Sequence, residues 1–187
     1  MTVEGANSEI LALAKEIGAL SFGEFTLSSG EKSAYYFDGR LLSLSASGAM
    51  LLGRCIWAKM EELGVSVVAG PTIGADPLIG ATLATAGQSK ETLRGLLVRP
   101  EEKGHGTGKQ IEGSIQPGDH VLVVDDVCTK GGSLLRSIEA LEAAGCTVSG
   151  VMVVLDRVEG GSEAIAGLGY QFHTCLLYTS PRPRDRG

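Results

Sequence analysis

Apolar residues along the chain follow two rhythms. Ile10, Leu11, Leu13, Ala14 and Ile17 recur at steps of three and four, the spacing of one helix face; Asn7 or Ser8 can cap the helix and Gly18 ends the run. In residues 22–40, FGEFTLSSGEKSAYYFDGR, turn residues sit between aromatic and β-forming ones. This predicts a short hairpin or irregular cap turning at Ser28, Ser29 and Gly30. Ser45 or Ser47 opens a second helix through AMLLGRCIWAKMEELG, closed by Gly64. Val65, Val67, Val68 and Ala69 form a short buried strand running into GPTIGADP, and residues 78–86 are helical with Pro77 in the first turn. GLLVR, residues 95–99, is a further strand. Residues 100–118 are polar and Gly-rich with no apolar period, which predicts a long exposed loop.

The second half is more regular. VLVV, residues 121–124, is a continuous apolar run of the kind buried on both faces of a parallel sheet. The loop DDVCTKGGS follows, then a helix carrying Leu134, Leu135, Ile138 and Leu141 and closed by Gly145, then a strand over residues 148–155. Strand, loop, helix and strand in this length make a βαβ unit with its ligand site at the carboxyl end of the first strand. The expected class is α/β with a mostly parallel central sheet flanked by helices. No internal repeat is visible, and residues 1–174 form one expected domain. After His173 the composition turns abruptly to Pro and Arg, and TCLLYTSPRPRDRG resembles translated read-through of a sequencing adapter. Residues 175–187 are therefore expected to be non-native or disordered.

Bulk properties narrow the function. Hydrophobic residues make up 43% of the chain and aromatics only 5%, which suits Val/Ala/Leu layers and argues against an aromatic nucleic-acid platform. The formal net charge of −6 disfavours a broad polyanion-binding surface, although local positive charge and loop amides can still hold a phosphate. Cys55, Cys128, Cys146 and Cys175 form no C-x-x-C pair, so reduced thiols and a cytoplasmic setting are expected. The N-terminus has no basic head and apolar block, and no apolar stretch reaches membrane-span length, so no membrane partner is expected.

The chemistry concentrates in VLVVDDVCTKGGS, residues 121–133. A hydrophobic strand delivers Asp125 and Asp126 to its end, and a loop of small residues then opens a helix. Amides of Lys130, Gly131, Gly132 and Ser133 at that helix start would point into one concavity, and the helix dipole behind them favours a phosphate. Thr129 and Ser133 add hydroxyls. Two acids beside a phosphate make sense as acceptors for ribose 2′-OH and 3′-OH groups. The bland alternative is a solvated βα turn with acids at a helix start. A Walker A loop is absent, because Gly104 to Gln110 has the wrong spacing, and Gly104, Gly106 and Gly108 do not follow a strand as a dinucleotide fingerprint would.

The whole pattern closely resembles the PRPP-binding signature of type I phosphoribosyltransferases. V-R-x-x-x-K-x-H-G, starting at Val98, resembles the catalytic loop of orotate phosphoribosyltransferases, with Pro100 where many relatives carry Lys. Residues 22–40 resemble that family's N-terminal, orotate-side segment, with Ser28 where some members carry Lys. The resemblance implies the type I fold with a small N-terminal hood and a flexible catalytic loop. It also implies a homodimer in which that loop reaches the neighbouring site. It implies orotate and PRPP as substrates, with Lys103 and His105 stabilising departing pyrophosphate and Arg99 clamping phosphate. PRPP would further meet Thr72 and Ile73 of the pyrophosphate-side loop and the run Asp125, Asp126, Val127, Cys128, Thr129, Lys130, Gly131, Gly132 and Ser133. Orotate would meet Tyr36, Phe37, Thr129 and Arg157, whose planar guanidinium suits a carboxylate; the plainer readings are core packing for the aromatics and a salt bridge to Asp156 or Glu159 for Arg157. Mg²⁺ is the implied cofactor, held mainly through PRPP with no confident protein ligand. A purine or uracil phosphoribosyltransferase, or a PRPP-sensing regulator on the same fold, are the alternatives.

Overall fold

A computed structural model of the chain describes residues 3–26, 30, 32–88, 92–100 and 110–177. A six-stranded sheet runs in the order β5-β4-β3-β6-β7-β8, formed by β3 (Val67–Pro71), β4 (Arg94–Val98), β5 (Ile111–Glu112), β6 (His120–Cys128), β7 (Thr147–Asp156) and β8 (Phe172–Leu177). All neighbours are parallel except the β4–β5 pair. Alternate residues of these strands feed two cores. Val68, Leu122, Val124, Met152 and Val154 pack with α1 (Val3–Glu16), α3 (Ala46–Leu63) and α4 (Asp76–Gln88). Val67, Ala69, Val121, Val123, Val151 and Val153 pack with α5 (Gly132–Ala143) and α6 (Gly161–Gly167). A strand apolar on both faces needs helices on both, which is why these runs are continuous rather than alternating.

The predicted helices form with small shifts. Ser45 caps α3 by accepting from the Gly48 amide at 3.0 Å, and Gly64 closes it in the left-handed region, φ 66°. α1 starts at Val3, ahead of the expected cap, so Asn7 and Ser8 lie inside it. The reason is Ala6, which extends the buried stripe of Ile10 and Ala14 by one more turn. β6 continues through Cys128, beyond the apolar run, because parallel pairing with β7 persists to Cys128↔Asp156. The expected loop after Arg99 contains the short strand β5.

Three elements besides β5 were not predicted: α2 (Gly39–Ser43), α6 and β8. β8 corrects the expected boundary at residue 174. Cys175 and Leu176 are buried, and Leu155↔Leu176 and Asp156↔Leu177 extend the sheet, so residues 175–177 belong to the fold. The remainder of the tail lies outside the described residues. β1 (Leu20–Thr26) and β2 (Lys32–Phe37) pair antiparallel as the expected hairpin, a two-stranded hood above the main sheet; Ser28 and Ser29 fall outside the described residues.

Candidate active site

Chain order places the site. From β3 the sheet grows outward through β4 to β5, then resumes on the other side of β3 with β6, β7 and β8. Loops leaving β3 and β6 therefore diverge, which opens a crevice at the carboxyl ends of these strands. A cavity of about 370 Å³ lies there, lined by Tyr36 to Arg40 from the hood and α2, by Pro71 to Gly74, and by Asp125, Asp126, Val127 and Ser133.

Two glycines let the surrounding loops abut the acids. A Cβ on Gly74 would lie 2.5 Å from Asp125 Oδ1 and 2.7 Å from Asp126 Oδ1, and one on Gly39 would lie 2.8 Å from Asp126 Cβ. Asp125 Oδ1 accepts from the Asp126 amide at 2.9 Å, and Asp125 Oδ2 accepts from the Ser133 hydroxyl at 3.1 Å. Burial, then the neighbouring Asp126 charge, pushes the Asp125 carboxyl up to about 7. Burial raises Asp126 as well, opposed by the hydrogen bond from Asp125, the Val127 amide and the Arg40 charge. Burial and mutual repulsion thus make the pair harder to ionise together than separate carboxylates.

The turn after β6 leads directly into the start of α5. Gly131 caps α5 in the left-handed region, φ 75°, where a side chain is strained, and gives no side-chain cap bond. The first-turn amides of Gly132, Ser133 and Leu134 have no intrahelical partner by helix geometry, and of these residues Ser133 lines the main cavity. The Ser133 hydroxyl differs from expectation: it donates to Asp125. Burial and nearby acids raise the Cys128 thiol to about 12, so it is no thiolate nucleophile at neutral pH.

The other expected residues fall around this centre. Thr72 and Ile73 line the main cavity, and the peptide between them is cis. Arg99 lines a smaller adjoining cavity of about 50 Å³ together with Pro71, Thr72, Ser133 and Arg136, and its Nη1 lies 3.3 Å from Glu112 Oε1. Tyr36 and Phe37 line the main cavity from opposite faces of β2: Phe37 is buried in the core and Tyr36 is exposed, its ring 5.7 Å from Phe25. Cys128, Thr129, Lys130, Gly131, Gly132 and Arg157 stand outside the main lining. Arg157 begins the turn after β7; its Nε donates to Glu159 Oε1 at 2.7 Å, and its guanidinium lies 4.8 Å from the Tyr35 ring centroid. The salt-bridge reading is thus realised with Glu159, and the guanidinium also reaches the hood. Lys103 and His105 lie outside the described residues.

Sequence reasoning did not single out Asp38, Gly39 or Arg40. Asp38 accepts from the Arg40 amide at 3.0 Å and so starts α2 beside Asp126. The available signal was the FDGR end of the hood segment, an acid and a glycine that can open a helix.

Residues 52–167 match the phosphoribosyl transferase domain family. An orotate phosphoribosyltransferase of Rhodopirellula baltica is 42% identical over 182 residues, covering 93% of this chain and 94% of that protein. The crystal structure of Mycobacterium tuberculosis orotate phosphoribosyltransferase with Fe(III) dicitrate superposes with a TM-score of 0.80 at 35% identity, covering 92% and 96% of the two chains. The same bacterial enzyme in complex with PRPP superposes with a TM-score of 0.76 at 34% identity and the same coverage. With the fold, the acid pair and the phosphate turn in place, these matches make the chain a member of the orotate phosphoribosyltransferases.

Proposed function

We propose a residue-level account of the reaction this orotate phosphoribosyltransferase performs in de novo pyrimidine synthesis: orotate and PRPP give orotidine 5′-monophosphate and pyrophosphate. The observation that carries it is the acid pair, Asp125 buried and Asp126 half-buried, lining one cavity with Ser133 from the start of α5. Asp125 and Asp126 accept from the ribose hydroxyls. Amides from Thr129 to Ser133 hold the 5′-phosphate. Thr72, Ile73 and Arg99 serve the pyrophosphate side. Tyr36 and Phe37 flank the base, and Thr129 and Arg157 bind it, Arg157 at its carboxylate.

No covalent nucleophile is required. The bond from the base nitrogen to ribose C1 forms as the bond to pyrophosphate breaks, and that electron pair leaves on pyrophosphate while the base nitrogen gives up its proton. Catalysis rests on holding the nitrogen near C1 and stabilising charge on the leaving group, the role given to Lys103 and His105. These act from the neighbouring subunit of a homodimer in the cytoplasm, an assignment that rests on the sequence resemblance. The cavity acids are hard oxygen donors, and among the described residues no group of three or more His, Cys, Asp or Glu gathers as a protein-only metal site. This donor set fits Mg²⁺ held chiefly by PRPP oxygens, with Asp125 and Asp126 as its protein neighbours. When bound, Mg²⁺ supplies neutralisation of pyrophosphate charge.

Pyrophosphate release, measured with orotate, uracil, hypoxanthine and adenine in turn, with and without Mg²⁺, tests the account. Release is expected with orotate and Mg²⁺ only. A purine preference would overturn the base assignment.

A further inference from the structure

We infer that Tyr35 is a positioning residue for base recognition, its ring serving as the platform that holds the Arg157 guanidinium in one plane. The inference deepens the reading that Arg157 meets the orotate carboxylate, and rests on it.

Three observations carry it. Tyr35 is 1% exposed on the inward face of β2, and Arg157 Cζ lies 4.8 Å from its ring centroid. The Arg157 Nε donates to Glu159 at 2.7 Å, and the Arg157 amide donates to the Cys128 carbonyl at 3.0 Å. The backbone that carries the ring is held, because the Ser33 hydroxyl donates to the Tyr35 carbonyl at 2.7 Å and accepts from the Tyr35 amide at 3.3 Å.

An arginine at the end of a strand would otherwise sample many rotamers, and a carboxylate gains bidentate contact only when the fork is already in plane. The aromatic face, negative at its centre, attracts the guanidinium and fixes that plane. Glu159 occupies Nε, which directs the two terminal nitrogens as the presenting edge. Tyr35 belongs to the same strand as Tyr36 and Phe37, which line the cavity, so one strand both borders the base site and orients the group that reads the base. The backbone bond to Cys128 ties this arrangement to the phosphate turn.

The test is steady-state kinetics with orotate and PRPP varied separately, alongside thermal melting. Tyr35→Leu is expected to raise the orotate KM roughly tenfold, about 1.4 kcal/mol, the size of a partly desolvated cation–π contact, with the PRPP KM unchanged. Tyr35→Phe should restore the orotate KM to within about twofold, because the ring face is kept. Arg157→Ala reports on the underlying reading: an unchanged orotate KM there removes the carboxylate contact and this inference with it. If Arg157→Ala raises the orotate KM but folded Tyr35→Leu does not, the platform alone is refuted. Equal rises in both KM values for Tyr35→Leu would make the ring a core filler and also overturn it. Should Tyr35→Leu not fold, the wild-type protein decides: nuclear Overhauser contacts between the Arg157 Nε proton and the Tyr35 ring protons are expected, and their absence refutes the assignment.

Discussion

Asp125→Asn should make the ligand-free protein more stable and nearly inactive. Asp125 is 6% exposed, and its carboxyl stands at about 7 against an ordinary 3.8 because of burial and the adjacent Asp126. A raised acid binds its proton more tightly in the folded state. Below pH 3.8 both states are protonated and there is no penalty. As pH rises from there the unfolded chain ionises first, so stability falls until the folded group also ionises near 7. At about 1.4 kcal/mol per pH unit, the separation from 3.8 to about 7 corresponds to about 4 kcal/mol above neutrality. Asparagine removes the titration while keeping the local bonds: its Oδ1 can accept from the Asp126 amide, and the Ser133 hydroxyl can turn to accept from Nδ2. Urea unfolding of both proteins at pH 4 and pH 8 without PRPP measures the difference. The gain should be near zero at pH 4 and about 2–4 kcal/mol at pH 8. A gain that does not grow with pH would refute the buried-charge argument. The same variant should bind PRPP at least roughly thirtyfold more weakly, having lost a charged acceptor for a ribose hydroxyl. Stability and function oppose each other at this residue.

Gly74→Ala should weaken PRPP binding and lower stability by about 1–3 kcal/mol, because its Cβ would collide with both carboxylates; isothermal titration and urea unfolding read the two effects. Gly161→Ala should raise the PRPP KM more than the orotate KM, since a Cβ there would lie 2.5 Å from the Thr129 carbonyl and 2.6 Å from the Gly131 amide nitrogen, displacing the phosphate turn. Lys103→Ala should cost roughly 2–4 kcal/mol in kcat/KM for PRPP, as lost donors to a developing anion do, and an unchanged value would remove it from catalysis. Mixing inactive Lys103→Ala and Asp125→Asn proteins under subunit exchange should restore activity if, as proposed, the sites are shared across a dimer, since a mixed dimer would then hold one complete site. No recovery would argue against sharing.

The elements that periodicity located best are those that make most of their contacts through their own apolar face. α3 has a capping Ser45, a terminating Gly64 and a buried stripe of Leu52, Ile56 and Met60, all within one segment. The misses have a common cause. β8, FHTCLL, runs into the tail that resembles adapter read-through, so its apolar residues were set aside with that tail; pairing with β7 recruits it to the sheet. β5 is two residues held by β4. α2 and α6 are too short to show a helical period. Each of these depends on a neighbour distant in sequence, and such pairing leaves no mark in a local window.

The same distinction divides the site. The acid pair and the glycine turn were legible because strand end, acids, glycines and helix start are contiguous, as the proposed chemistry needs: one turn would deliver both acceptors for the sugar and donors for its phosphate. Arg40 and Gly39 were not, because what they do is set by Asp126 on another strand; Gly74 was visible as a loop amide, but its approach to both acids was not. Tyr35 shows the point most clearly. In the run Tyr35, Tyr36 and Phe37, composition alone makes the three aromatics equivalent, but the two-residue strand period turns Tyr35 and Phe37 inward and Tyr36 outward. Only the approach of Arg157 from the end of β7 then distinguishes Tyr35 from a core residue. On the proposed assignment, base recognition depends on the meeting between hood and sheet. Variants that loosen the hood while leaving β6 and α5 intact should damage orotate binding before PRPP binding, an order that KM measurements on Phe37→Ala can check.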